Sequence, residues 1–350
     1  MAHRKLRNKN EVFGEMVGLV AKKLQPPFGI VMGSPLEAAE LASRLPAEEC
    51  VCYQMDLFQA ERLRAELALR ELNATVHVAA DLWDMPPAQT LLYPVPYGGE
   101  RALKLDLVEQ AYHTLNPHGT FIVLSPYDRD QFFPQVLKKV FGKVHAPMTG
   151  ENAVFWCGRE GDKKRRRHEV EFQVRVDEAT SYRFTSRPGV FSYGHFDDGA
   201  RALVDVMEIE PGNRVCDLGC GIGTNGVLAA RLAGPEGSIT FVDSSLRAIA
   251  LTEINAGNLG VPNFTTHATC TVAGLDEGSF DVVLANPPYF AHKTIADLFI
   301  TRGRALLRNG GLFFLVTKQV DAVYPMIQAA FGEPELFEHR GYILFKCRKA

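Results

Sequence analysis

The tetrapeptide Asn286-Pro287-Pro288-Tyr289, within DVVLANPPYF (281–290), holds the residue types that point most directly to chemistry. An amino group on an aromatic ring has its lone pair delocalised and is a poor nucleophile. Two acceptors, the side-chain oxygen of Asn286 and the carbonyl of Pro287, can each take one of its N–H groups and make the nitrogen more tetrahedral. The same acceptors stabilise the positive charge that develops there, a preorganised electrostatic effect. Proline at 287 and 288 fixes φ and stiffens the turn that carries the acceptors. Tyr289 offers a ring for base stacking, worth about 1–3 kcal/mol. The reaction so served is in-line attack by a planar amine on a transferable methyl group. Alignment supplies much of the acceleration, and no strong base is required. Taken alone, NPPY also reads as a proline-rich turn that ends a strand.

A second constellation lies upstream. VCDLGCGIGTNG (215–226) is an apolar strand, an acidic residue and a glycine-rich turn that enters a helix. Gly219, Gly221 and Gly223 permit positive φ and close approach of backbone N–H groups to a ligand. The helix N-terminus favours the ligand's anionic end, which in S-adenosylmethionine is the amino-acid carboxylate. Asp243, followed by Ser244, ends the next strand 20 residues after Gly223 and can accept hydrogen bonds from both ribose hydroxyls. These features alone do not choose the cofactor. Gly221-Ile222-Gly223-Thr224-Asn225-Gly226 also satisfies GxGxxG, so NAD is a rival, and a turn that only packs a helix on a sheet is the plainer alternative. Asp217, placed to face the cofactor's ammonium group, favours S-adenosylmethionine. NPPY, which a dinucleotide enzyme leaves unexplained, decides for it.

The elements that position these motifs alternate between short apolar runs and longer amphipathic ones. Residues 1–25 read as a leading helix with Val12, Phe13, Met16, Leu19, Val20 and Leu24 at helical intervals. Strands are expected at 29–32, 51–55 and 120–124, and helices at 36–45, 59–72 and 103–115. The second half repeats the alternation, with strands at 214–218, 238–242, 280–285 and 312–316 and helices at 225–232 and 246–255. This pattern predicts parallel α/β sheets with helices on their faces.

The two halves also match each other. Tyr97 of PVPY precedes Gly119 by 22 residues, and Tyr289 of NPPY precedes Gly311 by the same interval. LNPHGTFIVLS (115–125) then lies over LRNGGLFFLVT (307–317), and Phe141-Gly142 answers Phe331-Gly332. Gly33 and Asp56 are paired with Gly219 and Asp243. The expectation is two tandem copies of one Rossmann-like fold with mostly parallel sheets, the N-terminal copy degenerate. Domains are expected at 1–158 and 189–350, joined by a basic linker and a strand at 169–176 within 159–188. The N-terminal copy keeps only IVMGSP and Pro94-Val95-Pro96-Tyr97, without Asn, and is expected to bind no cofactor.

A formal net charge of −3 and a pI near 6.4 exclude a uniformly basic nucleic-acid binder. Any RNA contact must be local, and the run Lys163, Lys164, Arg165, Arg166 and Arg167 is the candidate. It reads equally as a solvated loop. No apolar run approaches the roughly 20 residues that span a bilayer, and no signal peptide is legible. Seven cysteines, none in a CxxC pair, predict reduced thiols, no metal and a cytoplasmic protein.

In the glycine loop, Asp243 and NPPY, the chain resembles class I methyltransferases. More closely it resembles the bacterial ribosomal RNA guanine-N2 methyltransferases of the RsmC/RlmG type, and nearly the whole chain takes part. RPGVFSYGHFDDGARAL (187–203) is similar to that family's PGVFS segment, followed by an Asp and a helix. The resemblance implies that Phe191 lines the cofactor pocket, that Asp197 organises its entrance, that Gly219, Gly221 and Asp243 hold the cofactor, and that residues 286–289 hold the target amine. It further implies ribosomal RNA or a ribosomal subunit as partner, with no membrane; a monomer fits it. Two positions depart from the pattern. Beside the adenine the chain reads His267-Ala268-Thr269-Cys270, so Thr269 and Cys270 take a place often held by an acid or Asn. Lys318, a candidate RNA contact, stands where Asn is expected. His195, His292 and Lys293 are lesser candidates. Rival functions are N6-adenine methylation, protein glutamine-N5 methylation, and a non-catalytic RNA-binding relative.

Overall fold

The computed structural model describes residues 9–127, 130–146, 148, 149, 152–287 and 293–350. The chain divides into two compact units, Met1–His168 and Glu169–Ala350. In the first, α1 (Lys9–Leu19) precedes β1 (Phe28–Val31), α2 (Pro35–Ala42), β2 (Cys50–Gln54), α3 (Leu57–Leu69) and β3 (Thr75–Val78). Then follow β4 (Ala88–Pro94), α4 (Arg101–Thr114), β5 (Leu115–Ser125), α5 (Phe132–Phe141), β6 (Met148–Thr149) and β7 (Asn152–Gly158).

The second unit opens with a hairpin of β8 (Val170–Arg175) and β9 (Ser181–Ser186), then α6 (Asp198–Val206). Next come β10 (Arg214–Leu218), α7 (Thr224–Ala233), β11 (Ser238–Asp243), α8 (Leu246–Asn258), β12 (Phe264–Ala268) and β13 (Phe280–Ala285). It ends with α9 (Lys293–Leu306), β14 (Leu307–Thr317), α10 (Val320–Phe331), β15 (Glu335–His339) and β16 (Tyr342–Arg348).

The sheet orders are β3-β2-β1-β4-β5-β7-β6 and β12-β11-β10-β13-β14-β16-β15, one order used twice. In each, five strands run parallel, β7 or β16 runs antiparallel beside them, and the outermost strand, β6 or β15, pairs antiparallel with it. The expected tandem α/β folds are therefore present. Central strands read as unbroken apolar runs because helices cover both faces; β1 is buried throughout, as are all but the first residue of β10. The antiparallel pairs were not legible in the sequence, because β15 has almost no buried face to give it a period.

Hydrogen bonds set the equivalence of the halves residue by residue. Met32 N–H donates to Tyr53 O (3.0 Å), and Gly219 N–H donates to Val242 O (2.8 Å). Gln54 is thus the counterpart of Asp243. Asp56 instead caps α3 by accepting from Gln59 N–H, the role that Ser245 plays for α8 with Ala248 N–H. The pairing of Asp56 with Asp243 is corrected: the loop after β1 is two residues shorter than its counterpart, and sequence spacing absorbed the difference. Ile30 pairs with Leu92 as Asp217 pairs with Leu284. Pro94 therefore stands for Asn286, as the PVPY/NPPY comparison predicts.

Candidate functional site

The C-terminal ends of β10, β11 and β13 lie side by side in parallel register, which brings the glycine loop, Asp243 and Asn286 to one edge of the sheet. In open α/β sheets this edge is where ligands bind. Gly219 (φ +70°), Gly221 (φ +57°) and Gly223 (φ +86°) all hold left-handed backbone. A Cβ on Gly219 would lie 2.9 Å from Phe299, whereas one on Gly221 would meet nothing within 4 Å. Gly221 therefore leaves room where a ligand can approach the backbone.

A pocket at this edge is lined by Phe191, Asp197, Gly219, Gly221, Asn225 and Asn286, with Ser192 and His195 at its rim. Phe191 is half exposed, and Ser192 adopts a left-handed φ of 54°. Asn286 Nδ2 donates to Asp197 Oδ2 at 3.0 Å. Asp197 also caps α6, accepting from Ala200 N–H at 2.8 Å. A carboxylate only accepts, so the NH2 end of the Asn286 amide is the end turned toward Asp197. Pro287 is buried. Pro288, Tyr289 and His292 lie outside the described residues, as does the side chain of Lys293.

Asp217 lies beneath the loop, 2% exposed, with Oδ2 accepting from Gly226 N–H at 2.8 Å. Burial pushes its carboxyl up to about 7; the Gly226 bond opposes this and Asp243 adds to it. Asp243 accepts from Gly221 N–H (2.9 Å) and Ser245 N–H (2.8 Å) and so bridges the loop to α8. Thr269 N–H donates to Asp243 O at 2.9 Å, which sets Thr269 and the adjoining Cys270 beside that strand end. Ser244 is half-buried next to Asp243. Lys318 is not among the residues that line the pocket; its Nζ sits 4.4 Å from the Tyr342 ring centroid. Lys163, Lys164, Arg165, Arg166 and Arg167 belong to the first unit.

Several contributors escaped the sequence reading. Asn225, 5% exposed, lines the pocket with an Oδ1 that has no hydrogen-bond partner. A buried acceptor left bare is costly, about 1–3 kcal/mol, and marks a place for a donor from a ligand. The buried face of α8 carries three polar residues that grip the site from below. Arg247, fully buried, donates to Pro188 O (2.6 Å), and Thr252 Oγ1 donates to Gly221 O (2.9 Å). Asn255 Nδ2 donates to Ile222 O (2.9 Å) and Thr185 O (3.0 Å), while its Oδ1 accepts from Thr185 N–H (2.8 Å). Polar residues on the inner face of an amphipathic helix were the signal that could have found them.

The loop fits S-adenosylmethionine better than a dinucleotide. That cofactor carries a sulfonium, an ammonium and a carboxylate, a net charge of +1. Two carboxylates at the loop, Asp217 and Asp243, favour such a ligand and disfavour an anionic pyrophosphate. Asn225 Oδ1 adds an acceptor suited to an ammonium group. Burial pushes the Cys216 and Cys220 thiols up, which keeps them neutral. No cluster of three or more metal-binding side chains occurs among the described residues, nor any helix long and apolar enough to cross a membrane.

Residues 181–346 match the model of the methyltransferase small domain family. The chain is 29% identical over 223 residues to the ribosomal RNA large subunit methyltransferase G of Pseudomonas putida, covering 61% of this chain and 59% of that protein. It thus spans about three fifths of that relative's length. It is 33% identical over 164 residues to the ribosomal RNA small subunit methyltransferase C of Chromohalobacter salexigens, covering 45% of this chain and 48% of that one. Among solved structures, a T. thermophilus 16S rRNA N2 methyltransferase (RsmC), in complex with AdoMet and guanosine, aligns with a TM-score of 0.75 at 18% identity. That alignment covers 99% of this chain and 93% of the other, and it shows a shared fold through both units. The resemblance to the RsmC/RlmG type is borne out.

Proposed function

Since residues 181–346 match the model of the methyltransferase small domain family, we propose that this chain transfers a methyl group from S-adenosylmethionine to the exocyclic amine of a base in ribosomal RNA, guanine N2 being the favoured target. The guanosine bound by the T. thermophilus structure and the names of the curated relatives support that choice of substrate. The observation that carries the reading is the Asn286 carboxamide, held by Asp197 beside the glycine loop.

The bound cofactor supplies an electrophilic methyl on a sulfonium. Gly219, Gly221 and Asp243 hold it, with Asn225 Oδ1 and Asp217 favouring its cationic groups. The chain's own task is to orient the amine. With the NH2 end of Asn286 turned to Asp197, Oδ1 is the end that accepts from the target N–H. The Pro287 carbonyl takes the second N–H, and Tyr289 stacks on the base. Both acceptors bond more strongly as positive charge grows on nitrogen, so they favour the transition state over the ground state. Phe191 closes the pocket mouth. Thr269 and Cys270 flank the adenine, and Lys318 contacts RNA.

The first unit serves as a non-catalytic partner. Its counterparts of Asp217, Gly219, Asp243 and Asn286 are Ile30, Met32, Gln54 and Pro94, and Gln54 Nε2 donates to Gly33 O at 3.1 Å. A Cβ on Gly33 would lie 2.8 Å from Pro94. No carboxylate stands at the ribose position, and no side-chain amide stands at the amine position.

The experiment incubates the protein and labelled S-adenosylmethionine with undermethylated ribosomal subunits, free rRNA, DNA or a release factor, followed by digestion and identification of the product. N2-methylguanine in rRNA is expected. Label in adenine or in a protein glutamine would reassign the substrate, and no transfer to any acceptor would end the reading.

A further inference from the structure

Residues 159–168, REGDKKRRRH, carry six Lys and Arg in a chain whose net charge is −3. We propose that this segment is a preformed cationic ridge that binds the phosphate backbone of RNA. The ligand rests on the rRNA reading above; the geometry rests on the first unit alone.

A charge run of this kind is usually a solvated loop, and the structure departs from that expectation. The segment is tied down at both ends and in the middle. The Tyr112 hydroxyl, on α4, donates to the carbonyls of Glu160 and Gly161, the latter at 3.0 Å. Arg159 donates to Leu115 O, and Lys163 donates to Val140 O. Both cations lie over the Tyr112 ring, at 5.6 and 5.0 Å from its centroid. At the far end His168 Nε2 lies 2.8 Å from Glu109 Oε2. Midway, Arg165 sits 5.4 Å from the Trp83 ring centroid.

The ridge extends past the segment. Lys138 and Lys139, in the last turn of α5, are exposed. Glu109 stays below the ordinary carboxylate range although burial opposes this, because His168 bonds it and Arg166 and Lys139 lie nearby. Cations from α5 and from the segment therefore converge on one acid. Eight cations (Lys138, Lys139, Arg159 and residues 163–167) stand with five acids (Asp81, Asp84, Glu109, Glu160 and Asp162), so the local surplus opposes the acidic whole.

Arg159, Lys163 and Arg165 hold the segment on its aromatic row. Lys164, Arg166 and Arg167 are exposed on it, Arg166 near Glu109 and Arg167 near Asp84. Holding these three in place beforehand reduces the ordering cost of each phosphate contact. A membrane-surface site would pair basic with exposed apolar side chains. None of the exposed large hydrophobic residues falls between 138 and 168 among the described residues.

The test measures binding of the full-length protein to a labelled rRNA fragment by fluorescence anisotropy across 50–250 mM salt. Lys164→Ser/Arg166→Ser/Arg167→Ser should lower the slope of log K against log salt by about 2, at about 0.7 per single-strand phosphate contact. Affinity should fall about tenfold or more at low salt, with cofactor affinity and melting temperature unchanged. The charge-keeping variant Lys164→Arg/Arg166→Lys/Arg167→Lys should bind like the parent. A folded Ser variant with unaltered slope and affinity overturns the ridge. So does unchanged RNA binding together with lost binding to phosphatidylserine vesicles, which would assign the cations to a membrane. Absence of methyl transfer to any rRNA defeats the functional reading instead, and the binding slopes still report on the ridge.

Discussion

Asn286 Nδ2 lies 3.0 Å from Asp197 Oδ2, and because the carboxylate can only accept, this contact fixes which end of the carboxamide faces the helix. Asp197 is thereby a positioning residue, acting through Asn286. It also caps α6, so one side chain couples a helix start to the end of β13.

Replacing Asn286 with Ala should lower kcat by about 10²–10³, the usual cost of a lost oxyanion-type partner, while cofactor affinity stays within twofold. Equal loss of cofactor affinity, read by calorimetry, would show that Asn286 shapes the cofactor pocket instead.

Asp197 separates into two roles by substitution. Asp197→Ala loses the cap, at about 1 kcal/mol, and the orientation of Asn286. Asp197→Ser retains a capping oxygen but is too short to reach Asn286. Both should lower kcat about tenfold or more, yet only the Ala variant should melt noticeably earlier. A Ser variant with full kcat would remove Asp197 from the mechanism.

Asp217 gives the site a pH dependence. Its carboxyl is raised by burial to about 7, so the fold favours the protonated form and stability declines as pH rises from about 4 to about 7. A cationic cofactor favours the carboxylate, which reverses the sign for binding. Affinity should rise toward pH 7 and level off above it, with proton uptake by buffer below that point. Titration calorimetry at pH 6 and pH 8 in two buffers of different ionisation enthalpy measures this. Asp217→Asn, which keeps an acceptor for Gly226 N–H, should bind the cofactor more weakly and without that dependence.

Gly226 and Gly221 should respond differently to Ala. A Cβ on Gly226 would lie 2.2 Å from the Phe241 ring and 3.0 Å from Asp217 Oδ2, so Gly226→Ala overpacks the core and should cost about 1–3 kcal/mol of stability. Gly221→Ala meets no atom and should cost about 1–3 kcal/mol for its left-handed φ, together with a marked loss of cofactor affinity. Denaturant melts and cofactor titration distinguish the two.

The two buried asparagines make a matching contrast. Asn255→Ala strips partners from Thr185 N–H, Thr185 O and Ile222 O and should destabilise by about 3 kcal/mol or more. Asn225→Ala removes an acceptor that has no partner, so stability should hold or rise while cofactor affinity falls. Equal destabilisation by both would show that Asn225 is structural.

Local patterns carried most of the architecture. Apolar runs with glycine turns located the central strands, because a strand covered on both faces has no other way to be written. β10 and β13 were predicted to the residue. The repeat was legible in PVPY against NPPY, since strand and turn keep their length in both copies. Spacing alone misplaced Asp56, because two residues missing from a loop look the same in a sequence as two missing from a strand. Hydrogen-bond register decided that Gln54 is the true counterpart of Asp243. Residue types announced Asn286, Asp243 and the glycines, whose chemistry is intrinsic. They said nothing about Asp197 as the partner of Asn286, 89 positions away. They were equally silent on α8, where Arg247, Thr252 and Asn255 hold two separate backbone stretches, 185–188 and 221–222, and on the aromatic row that fixes residues 159–168. Such contacts depend on where distant chain segments come to lie, and burial decides whether a polar group there must find a partner or is left waiting for a ligand.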